Sequence, residues 1–228
     1  MHTEILDEKR LKILHMLCDN TDLENFYMGG GTAISLQLKL RKSEDFDFFT
    51  HDPFNEHILL KSIEEIFPDE VRELNVGQGT CDILINEVQC SFFQYPYPMC
   101  KDPIKAGSDF PGLYLACIDD LAVMKLAALG GRSEKKDFFD LYQIYKRVDG
   151  FNTEKLICGL HRKFGEDFDP TYMIMGSTYF DAADKEVLPE AFVRYSWKEI
   201  RSFFMKEQQA LFDAEERFCN YGFINASK

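Results

Sequence analysis

The sequence predicts a mixed α/β fold (α+β) in which strands and helices alternate first and helices alone follow. Three observations carry this. Up to about residue 95, short apolar runs rich in Phe, Val, Ile and Tyr alternate with stretches of helical periodicity. Tyr95-Pro-Tyr-Pro98 closes the strand region, because proline donates no ladder hydrogen bond. From Ile118 onward apolar residues recur only at helical spacing. A boundary near residues 111–117 therefore sets an α/β domain at 1–115 against a helical domain at 116–228.

Each element has its own signal. Leu6, Leu11, Leu14 and Leu17 predict a helix within 5–18. Residues 26–28 form a short strand that runs into Gly29-Gly-Gly31, and a helix over 32–39 starts there. The run 46–50 is a strand, and 56–67 is an amphipathic helix closed by Pro68. Strands follow at 71–76, 81–85 and 88–95, the last two joined as an antiparallel hairpin across Asn86-Glu87. Helices are expected over 119–130, 134–148, 153–164 and 196–217. The stripe Phe203, Phe204, Leu211 and Phe212 belongs to the core of the last. The segment 165–190, rich in Asp, Gly and Pro, shows no clear element, and its acids at 181, 184, 186 and 190 read as a solvated face.

Composition bounds the function. A chain of 228 residues with 45% hydrophobic and 14% aromatic residues buries a real core and is not disordered. Its net charge of −13 makes it a poor unassisted binder of nucleic acid, since phosphate neutralisation needs clustered Lys and Arg. A local basic patch around Lys39, Arg41 and Lys42 would run against that balance. A nucleotide carried with Mg²⁺ remains compatible, because the metal cancels the local repulsion. Seven cysteines without a C-x-x-C pair read as reduced, mostly buried thiols of a cytoplasmic protein. No signal peptide and no membrane-spanning run is expected.

The chemistry concentrates between Gly29 and Phe49. Asp45 and Asp47 stand two apart in an apolar run, so on a strand they share one face, about 7 Å apart, while Phe46 and Phe48 take the other. Two like charges so placed are relieved either by protonation of one or by a divalent cation between them. Oxygen-only ligands with room for water and phosphate suit Mg²⁺. Glycines 29–31 allow positive φ and close backbone approach, and the helix start at Gly31-Thr32 offers N–H groups to phosphate oxygens. The plainer alternative is a strand–helix turn followed by two solvated acids.

Two further groups lie in the helical half. Lys125 falls inside an otherwise apolar helix, Leu121–Leu129, and so needs an anionic ligand, a structural acid or a route to solvent. Asp137 and Asp140 share a helix face, and Asp137 also sits in a first turn, where the helix dipole alone favours an acid. Arg132 is either a bidentate phosphate ligand or a solvated loop charge. His51, after the acidic strand, is an isolated candidate.

Gly30-Gly-Thr-Ala-Ile-Ser-Leu36 with Arg41-Lys-Ser-Glu-Asp-Phe-Asp-Phe-Phe49 resembles the first motif of the AbiEii-like nucleotidyltransferases, toxins of type IV toxin–antitoxin and abortive-infection systems. Asp120 through Leu129 and Arg132 through Tyr142 resemble the two motifs that follow, in the same order. The likeness covers roughly residues 20–150. It implies a nucleotidyltransferase-type small mixed sheet flanked by helices, then a helical domain. It implies an enzyme that moves a nucleotidyl or phosphoryl group from an NTP to a hydroxyl of RNA, such as tRNA, or of a protein, with a cognate antitoxin as partner. Asp45 and Asp47 are then the Mg²⁺ ligands and, with Asp137, the catalytic acids. Gly30, Gly31 and Thr32 face the triphosphate, and Lys125 and Arg132 contact the nucleotide. One position departs from the pattern: Ser91 stands where nucleotidyltransferases commonly place a third carboxylate, with Asp82 on the neighbouring strand. That departure supports the alternative of a catalytically degenerate nucleotide-binding or protein-interaction module.

Overall fold

The computed structural model describes residues 1–221 apart from Asp22 and Pro189. The chain forms two compact units. The first comprises residues 1–97 and 102–117; the second comprises 98–101 and the described residues from Ile118 onward.

The first unit is built on a seven-stranded mixed sheet. After a 3₁₀ turn at Thr3–Ile5 come α1 (Glu8–Asn20), β1 (Tyr27–Met28), α2 (Gly30–Leu38), β2 (Phe46–Thr50), α3 (Glu56–Ile66), β3 (Val71–Gly77), β4 (Thr80–Ile85), β5 (Val88–Gln94), β6 (Ile104–Lys105) and β7 (Tyr114–Leu115). The strand order is β3-β4-β5-β2-β1-β7-β6. Only β2–β5 and β1–β7 run parallel. Local chemistry sets the helix starts: Asp7 accepts the Arg10 N–H at 2.8 Å and Asn55 accepts that of Ile58 at 2.9 Å, each satisfying a donor that the helix cannot. The β4–β5 hairpin turns on Asn86 and Glu87, both at positive φ, as a two-residue loop matched to the sheet twist requires. Strands β6 and β7, two residues each, escape sequence reading because so short a run has no period.

One face of this sheet is the core. Phe46, Phe48, Cys81, Ile83, Ile85, Cys90 and Phe92 are all fully buried. Phe48 stacks on Phe92 at 4.7 Å, and Phe26 meets Phe92 edge-on at 5.5 Å. Helix α3 lies against β3 and β4 and also contacts α1. Burial pushes the Cys81 thiol up to about 12, with the neighbouring carboxylates of Asp82, Glu56 and Glu73 adding to it. Every cysteine is a free thiol, and only Cys158 and Cys219 escape full burial.

The second unit packs α4 (Ile118–Gly131) against α5 (Lys135–Arg147), α6 (Thr153–Phe164) and α7 (Thr171–Gly176), with α8 (Trp197–Tyr221) across α6. Helix α7 lies within the segment without clear sequence signal. It approaches α4 so closely that a Cβ at Gly176 would stand 2.2 Å from the Leu129 carbonyl oxygen. Two of the acids expected to be merely solvated hold this region together. Glu186 accepts the Lys135 N–H at the start of α5 at 2.7 Å. Asp184 accepts from Trp197 Nε1 at 2.7 Å and pairs with Arg201 at 3.0 Å. On α8, Phe204 and Leu211 are buried, whereas Phe203 and Phe212 are only half-buried. Among the described residues no helix is long and apolar enough to cross a membrane.

The segment 98–101 is fastened by a buried ion pair. Asp120 accepts the Cys100 N–H with both carboxylate oxygens, at 3.0 and 2.9 Å, and the Lys101 N–H at 3.3 Å. Lys163 Nζ lies 2.8 Å from Asp120 Oδ1 and donates to the Pro98 carbonyl at 3.1 Å. Both side chains are fully buried, so removal of one strands the other's charge. Lys163→Met is expected to lower stability by about 3–5 kcal/mol in a urea-unfolding titration; a loss within experimental error would show that Asp120 is held by backbone donors alone.

Candidate functional site

In the first unit the chain brings the glycine elbow onto the acidic strand. β1 pairs antiparallel with β2, Met28 opposite Phe48, and the Gly29 N–H donates to the Asp47 carbonyl at 2.8 Å. The turn into α2 is therefore seated directly beside Asp47. Gly30 takes φ +63°, and a Cβ there would stand 2.2 Å from Asp47 Oδ2. Only glycine satisfies both the backbone angle and the contact. The first bond of α2 is Ala33 N–H to the Gly29 carbonyl, so the N–H groups of Gly30, Gly31 and Thr32 belong to the helix's open first turn. That turn carries the positive end of the helix dipole, and Gly30 and Gly31 are part-exposed.

Asp45 and Asp47 alternate with Phe46 and Phe48. The phenyl groups are fully buried, and the carboxylates, Asp47 on β2 and Asp45 just before it, are half-exposed. The parallel register sets Asp47 opposite Ser91, and the antiparallel one sets Ser91 opposite Asp82, making one row across β2, β5 and β4. Ser91 Oγ donates to Asp82 Oδ1 at 2.8 Å, and Gln89 Nε2 donates to the same oxygen at 3.0 Å. Cys90 reports the local field from the buried face: burial raises its thiol pKa, and the carboxylates of Asp45, Asp47 and Asp82 raise it further.

Thr32 has a different job from the one its position suggests. Its side chain is buried, and its hydroxyl bonds to Ser43 Oγ at 2.5 Å and to the Asp45 carbonyl. It ties α2 to the entry of β2. What Thr32 can offer a phosphate is its backbone N–H. The basic group also differs from expectation: Lys39 pairs with Glu4 at 2.7 Å, and Arg41 is buried with its Nη1 on the Lys42 carbonyl, so they do not form an open cationic patch. His51 is exposed beside Asp52 at 3.3 Å.

The second unit gathers its own predicted residues. Lys125 is buried, with Nζ 2.8 Å from Asp137 Oδ1 and 2.8 Å from Asp140 Oδ2. Arg132 reaches Asp137 with two donors, Nε at 2.9 Å and Nη2 at 3.1 Å. Both carboxylates are fully buried. Of the three fates open to the buried lysine, pairing with in-chain acids is the one seen. Burial by itself raises the Asp137 pKa, but the charge of Lys125 and the fork of Arg132 outweigh it and hold the carboxyl well below the usual range. Asp140, one turn on, is a partner that the sequence placed on the same face without assigning it to Lys125.

The donor set of the first unit fits a hydrated divalent cation. Among the described residues no group of three or more His, Cys, Asp or Glu is arranged to hold a metal ion by itself. Asp47 on β2 and Asp45 just before it, beside the open first turn of α2, suit Mg²⁺, which keeps several waters and shares its shell between one or two carboxylates and substrate phosphates.

Residues 12–115 match the family model "Nucleotidyl transferase AbiEii toxin, Type IV TA system". An uncharacterized protein of Aquifex aeolicus (strain VF5) is 31% identical over 185 residues, covering 80% of this chain and 86% of that protein. The fold is shared with MenT4, a nucleotidyltransferase toxin of Mycobacterium tuberculosis H37Rv, at TM-score 0.55 and 14% identity over 96% of this chain and 89% of that one. It is shared as well with JHP933 of Helicobacter pylori, at TM-score 0.52 and 20% identity over 94% and 97% of the two chains.

Two outcomes follow from this geometry. Gly30→Ala forces a non-glycine residue into positive φ, at roughly 1–2 kcal/mol, and drives its methyl into Asp47. It is expected to lower the melting temperature and to weaken binding of a magnesium–nucleotide complex by titration calorimetry. The second concerns acid. Below about pH 4 the unfolded chain takes up a proton at Asp137 that the native state, with its depressed pKa, does not. Stability from this cluster is therefore full above that pH and lost on acidification. Asp137→Asn should flatten the acid limb of a stability–pH profile; an unchanged limb would refute the assignment.

Proposed function

Because the chain belongs to the AbiEii family of nucleotidyltransferase toxins of type IV toxin–antitoxin systems, we propose that its Asp45–Asp47 edge and its Gly30–Thr32 elbow hold a magnesium–NTP complex for transfer to a hydroxyl. The observation that supports this reading is the seating of Gly30 on Asp47, which brings the open N–H groups of a helix start beside the Asp47 carboxylate. Neither half alone would argue for a nucleotide. Mg²⁺ bound there would neutralise charge on the transferring phosphate.

The chain's own contribution is positioning. Asp45 and Asp47 direct the cation to one face of β2. The first-turn N–H groups of α2 orient phosphate oxygens, and Thr32 fixes the helix to the strand that bears both acids. Transfer of this kind relies on alignment and charge neutralisation more than on covalent protein chemistry. In the second unit, Lys125 is taken up by Asp137 and Asp140, and Arg132 by Asp137. Asp137 is fully buried and bridged by both, so we assign it the task of holding them and not that of a base on the acceptor. The acceptor proposed is a hydroxyl of RNA or protein, and the family implies a cognate antitoxin that restrains the activity.

A second reading, a nucleotide-binding or protein-interaction module without catalysis, is favoured by one observation. Ser91, not an acid, stands beside Asp47, and the adjacent Asp82 is already engaged by Ser91 and Gln89. A panel of labelled NTPs, incubated with the chain, Mg²⁺ and total RNA or cell protein, separates the two. Transfer that falls more than about 100-fold in Asp45→Asn and Asp47→Asn, and that EDTA abolishes, supports the enzyme. Mg²⁺-dependent NTP binding without transfer to any acceptor supports the module.

A further inference from the structure

Beside the acid row, on the same face of the sheet, runs a row of aromatic rings. Tyr27 on β1 pairs with Phe49 on β2, and Phe49 with Phe93 on β5. Phe49 lies two residues beyond Asp47, so both point to one face, about 7 Å apart along the strand. The rings form a connected series: Tyr27–Phe49 centroids lie at 5.8 Å, Phe49–Phe93 at 5.6 Å, Phe49–Tyr95 edge-on at 5.6 Å and Tyr95–Tyr97 edge-on at 4.8 Å. The two faces differ in burial. Phe46, Phe48 and Phe92 on the core face are wholly buried; in the aromatic row Tyr27 is buried, Phe49, Phe93 and Tyr95 are half-buried and Tyr97 is 40% exposed.

We propose that this row, with Tyr97 at its open end, seats the nucleobase of the nucleotide whose phosphates lie at Asp45, Asp47 and the Gly30 elbow. The inference rests on that reading of the acids and adds the class of contact made by the rest of the ligand. The separation of the two rows is one that a ribose fills between phosphate and base. Part-exposed rings beside a charged row suit a flat, weakly hydrated π-system, and every base has such a face. The rings bring no charged group to the base, so the platform ranks bases by stacking strength, purines above pyrimidines, instead of selecting one by hydrogen bonding.

The test compares Mg²⁺-tripolyphosphate with methylene-bridged, non-hydrolysable NTPs by calorimetry on the full chain. Tripolyphosphate reads the acids and elbow alone; the ratio of affinities reads the base. The nucleotide is expected to bind roughly 5- to 150-fold more tightly. Tyr97→Ala and Phe93→Leu should shrink that ratio toward one while leaving tripolyphosphate affinity unchanged, and Tyr97→Phe should restore it. Tyr97 is exposed enough that its truncation should leave the melting curve in place, which controls for folding. A wild-type ratio of one, or a ratio that both variants preserve, overturns the inference. So does an RNA trinucleotide whose binding the variants abolish while the NTP ratio holds, because the platform then serves an acceptor base. Failure of tripolyphosphate itself to bind instead overturns the phosphate site beneath it.

Discussion

Gly30 and Asp47 can occupy their places together only because residue 30 has no side chain. The backbone turns through positive φ at the point where a carboxylate oxygen stands closer than any Cβ tolerates. The Gly29 N–H locks that turn to the Asp47 carbonyl, and the Thr32 hydroxyl locks the helix behind it to Ser43 and the Asp45 carbonyl. The proposed phosphate site, the direction of both acids and the placing of α2 against β2 all depend on this one close approach.

The sheet then converts alternation into two surfaces of opposite character. Because successive side chains on β2 change face, the run from Asp45 to Thr50 puts Phe46, Phe48 and Thr50 into the core and Asp45, Asp47 and Phe49 on the other side. The neighbours β5 and β4 extend these rows sideways: Asp47 to Ser91 to Asp82, and Phe49 to Phe93. A one-residue slip in either pairing would bury carboxylates and expose phenyl rings, so the packing of Phe48 on Phe92 protects the register of the acidic face as well as the core.

The helical unit handles its buried charges by satisfying each with several partners. Asp120 meets Lys163 and two backbone N–H groups; Asp137 meets Lys125 and both donors of the Arg132 fork; Asp140 meets Lys125. Such clusters add little net stability over an apolar core, but loss of a single member is severe, because a charge then remains buried alone. Arg132 is exposed at its outer side while its nitrogens grip Asp137, so one cluster joins a deep position on α4 to the surface.

Period, punctuation and short-range chemistry were legible in the amino-acid order. They foretold the alternation around Asp45 and Asp47, the glycine elbow, the Asn86-Glu87 hairpin, the buried state of Lys125 and the four long helices, since each depends on residues within a turn or a strand of one another. Partner choice was not legible. That Thr32 spends its hydroxyl on Ser43, that Lys125 meets Asp140 as well as Asp137, that Glu186 caps α5 and that Lys39 is neutralised by Glu4 are contacts between residues up to 51 apart in sequence. Nor was the presence of the two-residue strands β6 and β7, which only their neighbours make into strands. Local sequence determines which face a side chain turns to; tertiary packing alone decides what it finds there.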